Sequence, residues 1–184
     1  MGKTFFITGG SSSGKSRWAI SFLESCDEVL YISVGGNIDK ETEARIAHNC
    51  ETRGTNWTVE LSADNPLELM KGRKFTILDC LGVYTNRIIT EKGIGVKGVN
   101  QMTDETAKEI EKETIERVTA LIEAAKKEGA TLLIISTELG FCPTPIDSAQ
   151  RWFRGILCGV NQRIANISDE VYLLTSGIPL KVKG

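Results

Sequence analysis

Short apolar runs alternate along the chain with longer segments in which apolar residues recur at helical spacing. Runs such as FTILD at residues 75–79 and LLIIS at 132–136 are largely apolar without polar alternation, which is typical of strands buried on both faces. Strands that alternate with helices predict an α/β fold with a mostly parallel sheet. The predicted strands cover residues 4–8, 29–33, 57–61, 75–79, 131–136 and 171–175, with a short edge strand at 178–183.

Two long segments predict amphipathic helices. In residues 103–127 the positions outside the apolar stripe are mostly Glu and Lys, so we expect the charged side to face solvent. This stripe comprises Ile110, Thr114, Val118, Leu121, Ile122 and Ala125. A second helix is predicted from the N-cap Asp147 to Ile167. Its apolar side comprises Ala149, Phe153, Ile156, Leu157, Val160 and Ile164. Core packing accounts for both stripes, and we expect the glycine-containing segment 91–101 to be a loop.

Composition and charge exclude several classes of protein. A length of 184 residues predicts one domain, spanning 1–184. The formal charge of −2 gives no basic field for nucleic acid or an anionic membrane. Five cysteines without a CxxC pair suggest neither a disulfide framework nor a zinc site. Because no stretch resembles a signal peptide or approaches the ~20 apolar residues of a transmembrane segment, we expect a cytoplasmic protein.

The strongest motif is GGSSSGKS, which follows the first predicted strand and precedes a helix-forming segment. It matches G-x-x-x-x-G-K-[ST] in the context that a phosphate-binding loop requires. Backbone N–H groups and the helix N-terminus would face the phosphates, Lys15 would reach the β- and γ-phosphates, and Ser16 would bind Mg²⁺. A glycine-rich turn with an accidental lysine is the weaker interpretation. The predicted cradle comprises Gly9, Gly10, Ser11, Ser12, Ser13, Gly14, Lys15 and Ser16.

Asp79 ends a buried strand, where a phosphate loop usually finds a second group for Mg²⁺. We therefore predict a metal site at Ser16 and Asp79, with an ordinary strand-terminal cap as the alternative for Asp79. The same residue begins DCLG, which resembles the D-x-x-G element of regulatory GTPases. The chain has no N-K-x-D segment for reading guanine, which counts against that class.

The single histidine, His48, lies in KETEARIAHNCETRG, a predicted helix after the second strand. Arg45 lies three residues earlier and so shares its helix face. A neutral imidazole can attack phosphorus, and the resulting phosphoramidate remains reactive. A lone helical histidine is more often a surface or core residue, so its position alone leaves both interpretations open.

Over nearly its whole length the chain resembles the bifunctional adenosylcobinamide kinase/adenosylcobinamide-phosphate guanylyltransferase family of cobalamin biosynthesis. The order and spacing of six segments carry this resemblance. They are ITGGSSSGKSRWA, VLYIS, EARIAHNCETRGTNWTVE, ILDCL, STELG and RWFRGILCGVNQRIANISDEVYLLTSGIPLKVK.

The resemblance implies a RecA-like, three-layer P-loop NTPase fold, a homotrimer, and His48 as the residue that becomes guanylylated. It implies a kinase step from ATP or GTP to adenosylcobinamide, and a transfer of GMP from GTP to adenosylcobinamide phosphate, with Mg²⁺ and Lys15 offsetting charge. Beyond the phosphate loop, it implies nucleotide contacts at Val34, Gly35, Gly36, Glu51, Thr52, Arg53, Gly54, Glu60 and Asp79.

Two alternatives stay open on the sequence. The first is another small-molecule P-loop kinase, in which His48 takes no part. The second is a regulatory nucleotide-binding protein, in which Asp79 and Gly82 form a switch and no covalent adduct arises.

Overall fold

The computed structural model describes residues 2–35, 39–61, 64–94 and 102–184, without the side chains of Asn49 and Arg53. Within these ranges, helices and strands alternate as an α/β fold requires. The order is β1 (Thr4–Gly9), α1 (Lys15–Phe22), β2 (Val29–Ser33), α2 (Lys40–Arg53), β3 (Thr58–Leu61), α3 (Pro66–Leu69), β4 (Phe75–Asp79), α4 (Leu81–Glu91), α5 (Asp104–Glu128), β5 (Thr131–Ile135), α6 (Ser148–Ile167), β6 (Glu170–Thr175) and β7 (Ile178–Lys183).

All the strands join one sheet in the order β3-β2-β4-β5-β1-β6-β7. Every neighbouring pair is parallel except β6 with β7. Strand β5 therefore lies between β1 and β4, with Ile135 opposite Ile7 on one side and Asp79 on the other. Because parallel strands end at the same edge, the segments after β1, β2 and β4 meet there. The predicted α/β class with a mostly parallel sheet is confirmed.

Two hydrophobic cores cover the faces of the sheet and make the fold three-layered. Alternate residues of each central strand enter different cores: Phe6 faces α4, α5 and α6, whereas Ile7 faces α1 and α2. The same alternation places Leu78 in the first core and Ile77 in the second. Strands buried on both faces explain why the sequence shows continuous apolar runs.

The strand predictions agree with the structure to within one residue at each end. Thr103 caps α5 by accepting from the Thr106 N–H, and Asp147 caps α6 by accepting from the Gln150 N–H. Both stripes are buried as predicted, except that Phe153 is half-buried and Ala149 is exposed. The prediction for Ala149 was wrong because the first turn of α6 continues the exposed segment 140–150, beyond the packed part of the helix.

The sequence analysis left α4 unassigned. This helix contains a glycine and several β-branched residues, which have weak helix propensity. The helix is stabilised instead by the burial of one of its faces, which comprises Leu81, Gly82, Tyr84, Thr85, Ile88 and Ile89. Of the predicted loop 91–101, residues 95–101 lie outside the described residues. In the ranges that the structure covers, no helix is both long and apolar enough to cross a membrane.

Glu170, at the start of β6, fixes the edge of the sheet near the chain termini. Its carboxylate accepts from Lys3 Nζ at 2.6 Å, Lys181 Nζ at 2.9 Å and the Tyr172 hydroxyl at 2.9 Å. The residue is only 8% exposed. Hydrogen bonds from Lys3, then Lys181 and Tyr172, lower the pKa of Glu170 from 4.5 to about 2.

We predict that Glu170→Gln lowers the free energy of unfolding at pH 7 by about 1–2 kcal/mol. A depressed folded-state pKa contributes stability that is complete above pH 4.5 and is lost as the pH falls toward 2. The difference between the two proteins in urea unfolding should therefore shrink over that interval. Glu123→Gln, at an exposed position of α5, is the matched control and should change stability by less than about 0.5 kcal/mol. A difference that stays constant from pH 7 to 2 would contradict the prediction.

Candidate functional site

The segment between β1 and α1 forms a compact loop in which two glycines, Gly9 and Gly14, have positive φ angles. Gly9 has φ 151°, and a Cβ there would lie 2.4 Å from the Leu174 carbonyl oxygen. Gly14 has φ 92° and is the N-cap of α1. The turn between β6 and β7 supports the loop from outside, because the Gly177 N–H donates to the Ser13 carbonyl at 2.9 Å. The predicted phosphate loop thus has the strand–loop–helix context that its function requires.

The side chain of Lys15 lies inside this loop. Its ammonium donates to the carbonyls of Gly9 at 3.0 Å and Gly10 at 2.7 Å. Burial lowers the pKa of Lys15, while Cys80 and Asp79 act in the opposite direction. The two hydrogen bonds hold the Lys15 amine beside the N-terminus of α1, an arrangement that suits phosphate groups.

Asp79 joins the loop to the neighbouring strands. Its Oδ2 accepts from the Ser16 hydroxyl at 2.6 Å and from the Tyr31 hydroxyl at 2.5 Å. Burial, followed by the nearby Asp79 charge, raises the pKa of Tyr31, so its hydroxyl remains a donor. The sequence analysis paired Ser16 with Asp79 but missed Tyr31, whose only signal was a hydroxyl in the middle of a mostly apolar strand.

These oxygens fit a hard cation. Ser16 donates its hydrogen to Asp79, so its oxygen can still act as a metal ligand, and Asp79 offers its second carboxylate oxygen. Magnesium usually takes one or two such protein ligands together with phosphate oxygens and water. The described residues contain no group of three or more His, Cys, Asp or Glu side chains that could hold a metal without further ligands.

Two adjoining clefts open beside the loop. The larger, about 510 Å³, is lined by the loop and α1 on one side and the start of α2 on the other. The second, about 350 Å³, contains Tyr31, Gly35, Asp79 and Cys80. Both are lined by Ser16, Asp39 and Thr42. The structure thus brings one predicted contact beyond the loop, Gly35, to the same place as Asp79.

Asp39 places the N-terminus of α2 at these clefts. Its carboxylate caps the helix by accepting from the Thr42 N–H and hydroxyl, both at 2.9 Å, and these bonds lower the pKa of Asp39. Val34 is buried, and its N–H donates to the Asp79 carbonyl at 3.0 Å. Val34 therefore helps to set the path of the chain beside these clefts, while Gly36 lies outside the described residues.

His48 lies on α2 and is exposed. It lines a third cleft of about 190 Å³ together with Arg17, Arg45 and Thr52, among others. The two arginines also line the 510 Å³ cleft, so the histidine cleft adjoins the phosphate loop. The sequence analysis identified Arg45 only as a neighbour of His48 on the helix, and it did not predict Arg17 at the site.

The remaining predicted contacts lie further away. Glu51 is exposed, Gly54 is the C-cap of α2 with φ 64°, and Glu60 is half-buried in β3. None of these three residues lines the three clefts. The side chain of Arg53 lies outside the described part of the chain.

Comparison with known proteins gives a match over almost the whole chain. The model of the cobinamide kinase / cobinamide phosphate guanyltransferase family matches residues 5–182. The bifunctional adenosylcobalamin biosynthesis protein CobU of Escherichia coli K12 is 31% identical, covering 96% of this chain and 98% of that protein. CobU of Salmonella typhimurium LT2 is 29% identical over the same shares. CobP of Pseudomonas aeruginosa, which carries the same description, is 28% identical over 97% and 96%.

Solved structures support the fold. A KaiC-like protein from Pyrococcus horikoshii has a TM-score of 0.52 at 15% identity, covering 93% of this chain and 70% of that one. An ATPase of a bacterial type III secretion system has a TM-score of 0.56 at 14% identity, covering 95% of this chain and 52% of that one. These neighbours confirm the predicted P-loop NTPase fold class.

We predict opposite outcomes for two adjacent glycines of the loop. Gly9→Ala should lower the free energy of unfolding by about 2–4 kcal/mol, because the new Cβ would meet the Leu174 carbonyl. Gly10→Ala should change it by less than about 0.5 kcal/mol, since nothing lies within 4 Å of a Cβ there. Urea unfolding of both variants measures the difference. Equal destabilisation by the two substitutions would contradict this account of the loop.

Proposed function

Since the chain belongs to the cobinamide kinase / cobinamide phosphate guanyltransferase family, we propose that it phosphorylates adenosylcobinamide and then transfers GMP from GTP to adenosylcobinamide phosphate. The product of the second step is adenosylcobinamide-GDP. The observation that carries this proposal is the family match over residues 5–182, which includes the phosphate loop, Asp79 and His48.

In the kinase step, the hydroxyl of the aminopropanol arm of adenosylcobinamide attacks the γ-phosphorus of ATP or GTP. A new P–O bond forms, the bond to the β-phosphate breaks, the nucleoside diphosphate leaves, and the hydroxyl proton passes to solvent. Lys15 lies in the loop where the β- and γ-phosphates would bind, and its charge offsets the charge that develops on them. The backbone N–H groups at the start of α1 hold the same phosphates.

Ser16 and Asp79 would hold Mg²⁺ at this loop. When bound, the cation neutralises charge on the β- and γ-phosphate oxygens. Tyr31 holds the Asp79 carboxylate in position through its 2.5 Å hydrogen bond and leaves the other carboxylate oxygen accessible. The protein's part in this step is therefore to orient the oxygens before the nucleotide binds.

In the transferase step, a ring nitrogen of neutral His48 attacks the α-phosphorus of GTP. A P–N bond forms, the bond to the β-phosphate oxygen breaks, pyrophosphate leaves with the electron pair, and the imidazole proton passes to solvent. The phosphate of adenosylcobinamide phosphate then attacks the guanylyl phosphorus and releases His48. The exposed position of His48 on α2 leaves it open to both partners.

Other nucleotide contacts complete the proposal. Gly35 and Thr52 line the clefts, and we assign them to the nucleotide. Contacts at Val34, Gly36, Glu51, Arg53, Gly54 and Glu60 stay predictions. The homotrimer and the cytoplasmic location also stay predictions.

The structure does not favour the switch alternative. Gly82 is buried in the first turn of α4, where an added Cβ would lie 3.4 Å from the Leu157 side chain. Gly82 thus lies at the contact between α4 and α6, where a small residue allows the two helices to pack closely. The packing of Gly82 therefore favours a structural role over a D-x-x-G switch with Asp79.

We predict that the protein incubated with Mg²⁺ and GTP labelled at the α-phosphate keeps an acid-labile, base-stable label after denaturation. Because the chain has one histidine, His48→Ala should abolish this label. Lys15→Ala should slow labelling because it weakens triphosphate binding, although this variant still contains His48. A wild-type protein that stays unlabelled, or a His48→Ala variant that is labelled equally well, would refute the transferase proposal.

We also predict a graded loss of kinase activity around Asp79. Asp79→Asn should lower the rate by about 100-fold, because it removes the charge beside Ser16. Tyr31→Phe keeps that charge and should raise the half-saturating Mg²⁺ concentration by about tenfold, with recovery of the rate at high Mg²⁺. Kinase rates measured against Mg²⁺ concentration separate the two effects. If Asp79→Asn retained the wild-type dependence on Mg²⁺, Asp79 would have no role at the cation.

A further inference from the structure

Arg17 and Arg45 lie between the phosphate loop and His48. Arg17 comes from α1, directly after Ser16, and Arg45 comes from α2, three residues before His48. Both side chains line the 510 Å³ phosphate-loop cleft and the 190 Å³ histidine cleft. Among the described residues, they are the only two that these two clefts have in common.

Glu41 binds both guanidinium groups at once. Its Oε1 accepts from Arg17 Nη2 at 2.7 Å and from Arg45 Nη2 at 2.6 Å. These bonds, first from Arg45 and then from Arg17, lower the pKa of Glu41. One carboxylate facing two guanidinium groups leaves the cluster with a formal charge of +1. All three side chains are more than a third exposed, so an anion from solvent can reach them.

Guanidinium groups bind phosphate oxygens through paired N–H donors, more specifically than an ammonium does. When His48 attacks the α-phosphorus, negative charge develops on the pyrophosphate that leaves. That charge needs cationic donors beside the pyrophosphate as it leaves. Lys15 supplies one within the loop, and the two arginines supply others between the loop and His48.

On the premise of the proposed function, we propose that Arg17 and Arg45 bind the β- and γ-phosphates of GTP as His48 displaces them, and that Glu41 competes with these phosphates for the two guanidinium groups. The bond that forms is P–N at His48, and the bond that breaks joins the α-phosphorus to the pyrophosphate oxygen. Arg17 and Arg45 contact the leaving group and are in this sense catalytic residues. Glu41 acts through them.

The reverse reaction tests this directly. The protein is labelled to completion with α-labelled GTP, freed of nucleotide, and exposed to increasing pyrophosphate with Mg²⁺ while the release of labelled GTP is followed. Arg17→Gln and Arg45→Gln should raise the half-saturating pyrophosphate concentration by about tenfold or more. Glu41→Gln should lower the half-saturating concentration, because it removes the competitor.

Arg163→Gln is the matched control, since Arg163 is exposed on α6, across the sheet from α1 and α2. It should shift the half-saturating concentration by less than about twofold, and urea unfolding confirms that each variant is folded. The inference is overturned if both site variants stay within twofold of wild type, or if Arg163→Gln shifts as much as they do. A wild-type protein that takes no label refutes the proposed function and this inference together. A labelled wild type with unshifted variants refutes this inference alone.

Discussion

The site depends on one carboxylate oxygen. Oδ2 of Asp79 accepts hydrogen bonds from Ser16 on α1 and Tyr31 on β2, so three separate elements meet at one atom. Each donor belongs to an element that the rest of the fold holds in place. Ser16 lies on α1, which continues from the phosphate loop, and Tyr31 lies on β2, which is buried in the sheet. An ionised acceptor makes both bonds strong, and a neutral residue at this position would leave two hydroxyl groups less firmly held.

The fold could be read from the sequence wherever burial on two faces or a helix cap gave a local pattern. The runs at β4 and β5, and the cap at Asp147, are of this kind. Helix α4 could not be predicted because its stability comes from packing against α5 and α6, which no short window of sequence contains. Ala149 was misplaced for the opposite reason, since helical spacing continues beyond the part of α6 that packs.

The residues of the candidate site also include some that the sequence could predict and some that it could not. The phosphate loop is contiguous, so its residues could be predicted from spacing alone, and Asp79 followed from its place at the end of a strand. Tyr31, Arg17 and Glu41 come from different elements, and only the sheet order and the position of α2 bring them to the clefts. The residue type of His48 suggested a chemistry, but its position in the sequence did not. The family resemblance linked this residue to the proposed transferase step.

Strand β5 separates the strand that ends in the phosphate loop from the strand that ends in Asp79. Neighbouring strands lie about 4.8 Å apart, so this order sets the ends of β1 and β4 about 10 Å apart across the edge of the sheet. Only a residue carried out of β1 by the loop, such as Ser16, can reach back to the carboxylate. The width of the phosphate site is thus set by main-chain hydrogen bonds, and it does not depend on the identity of any surface side chain.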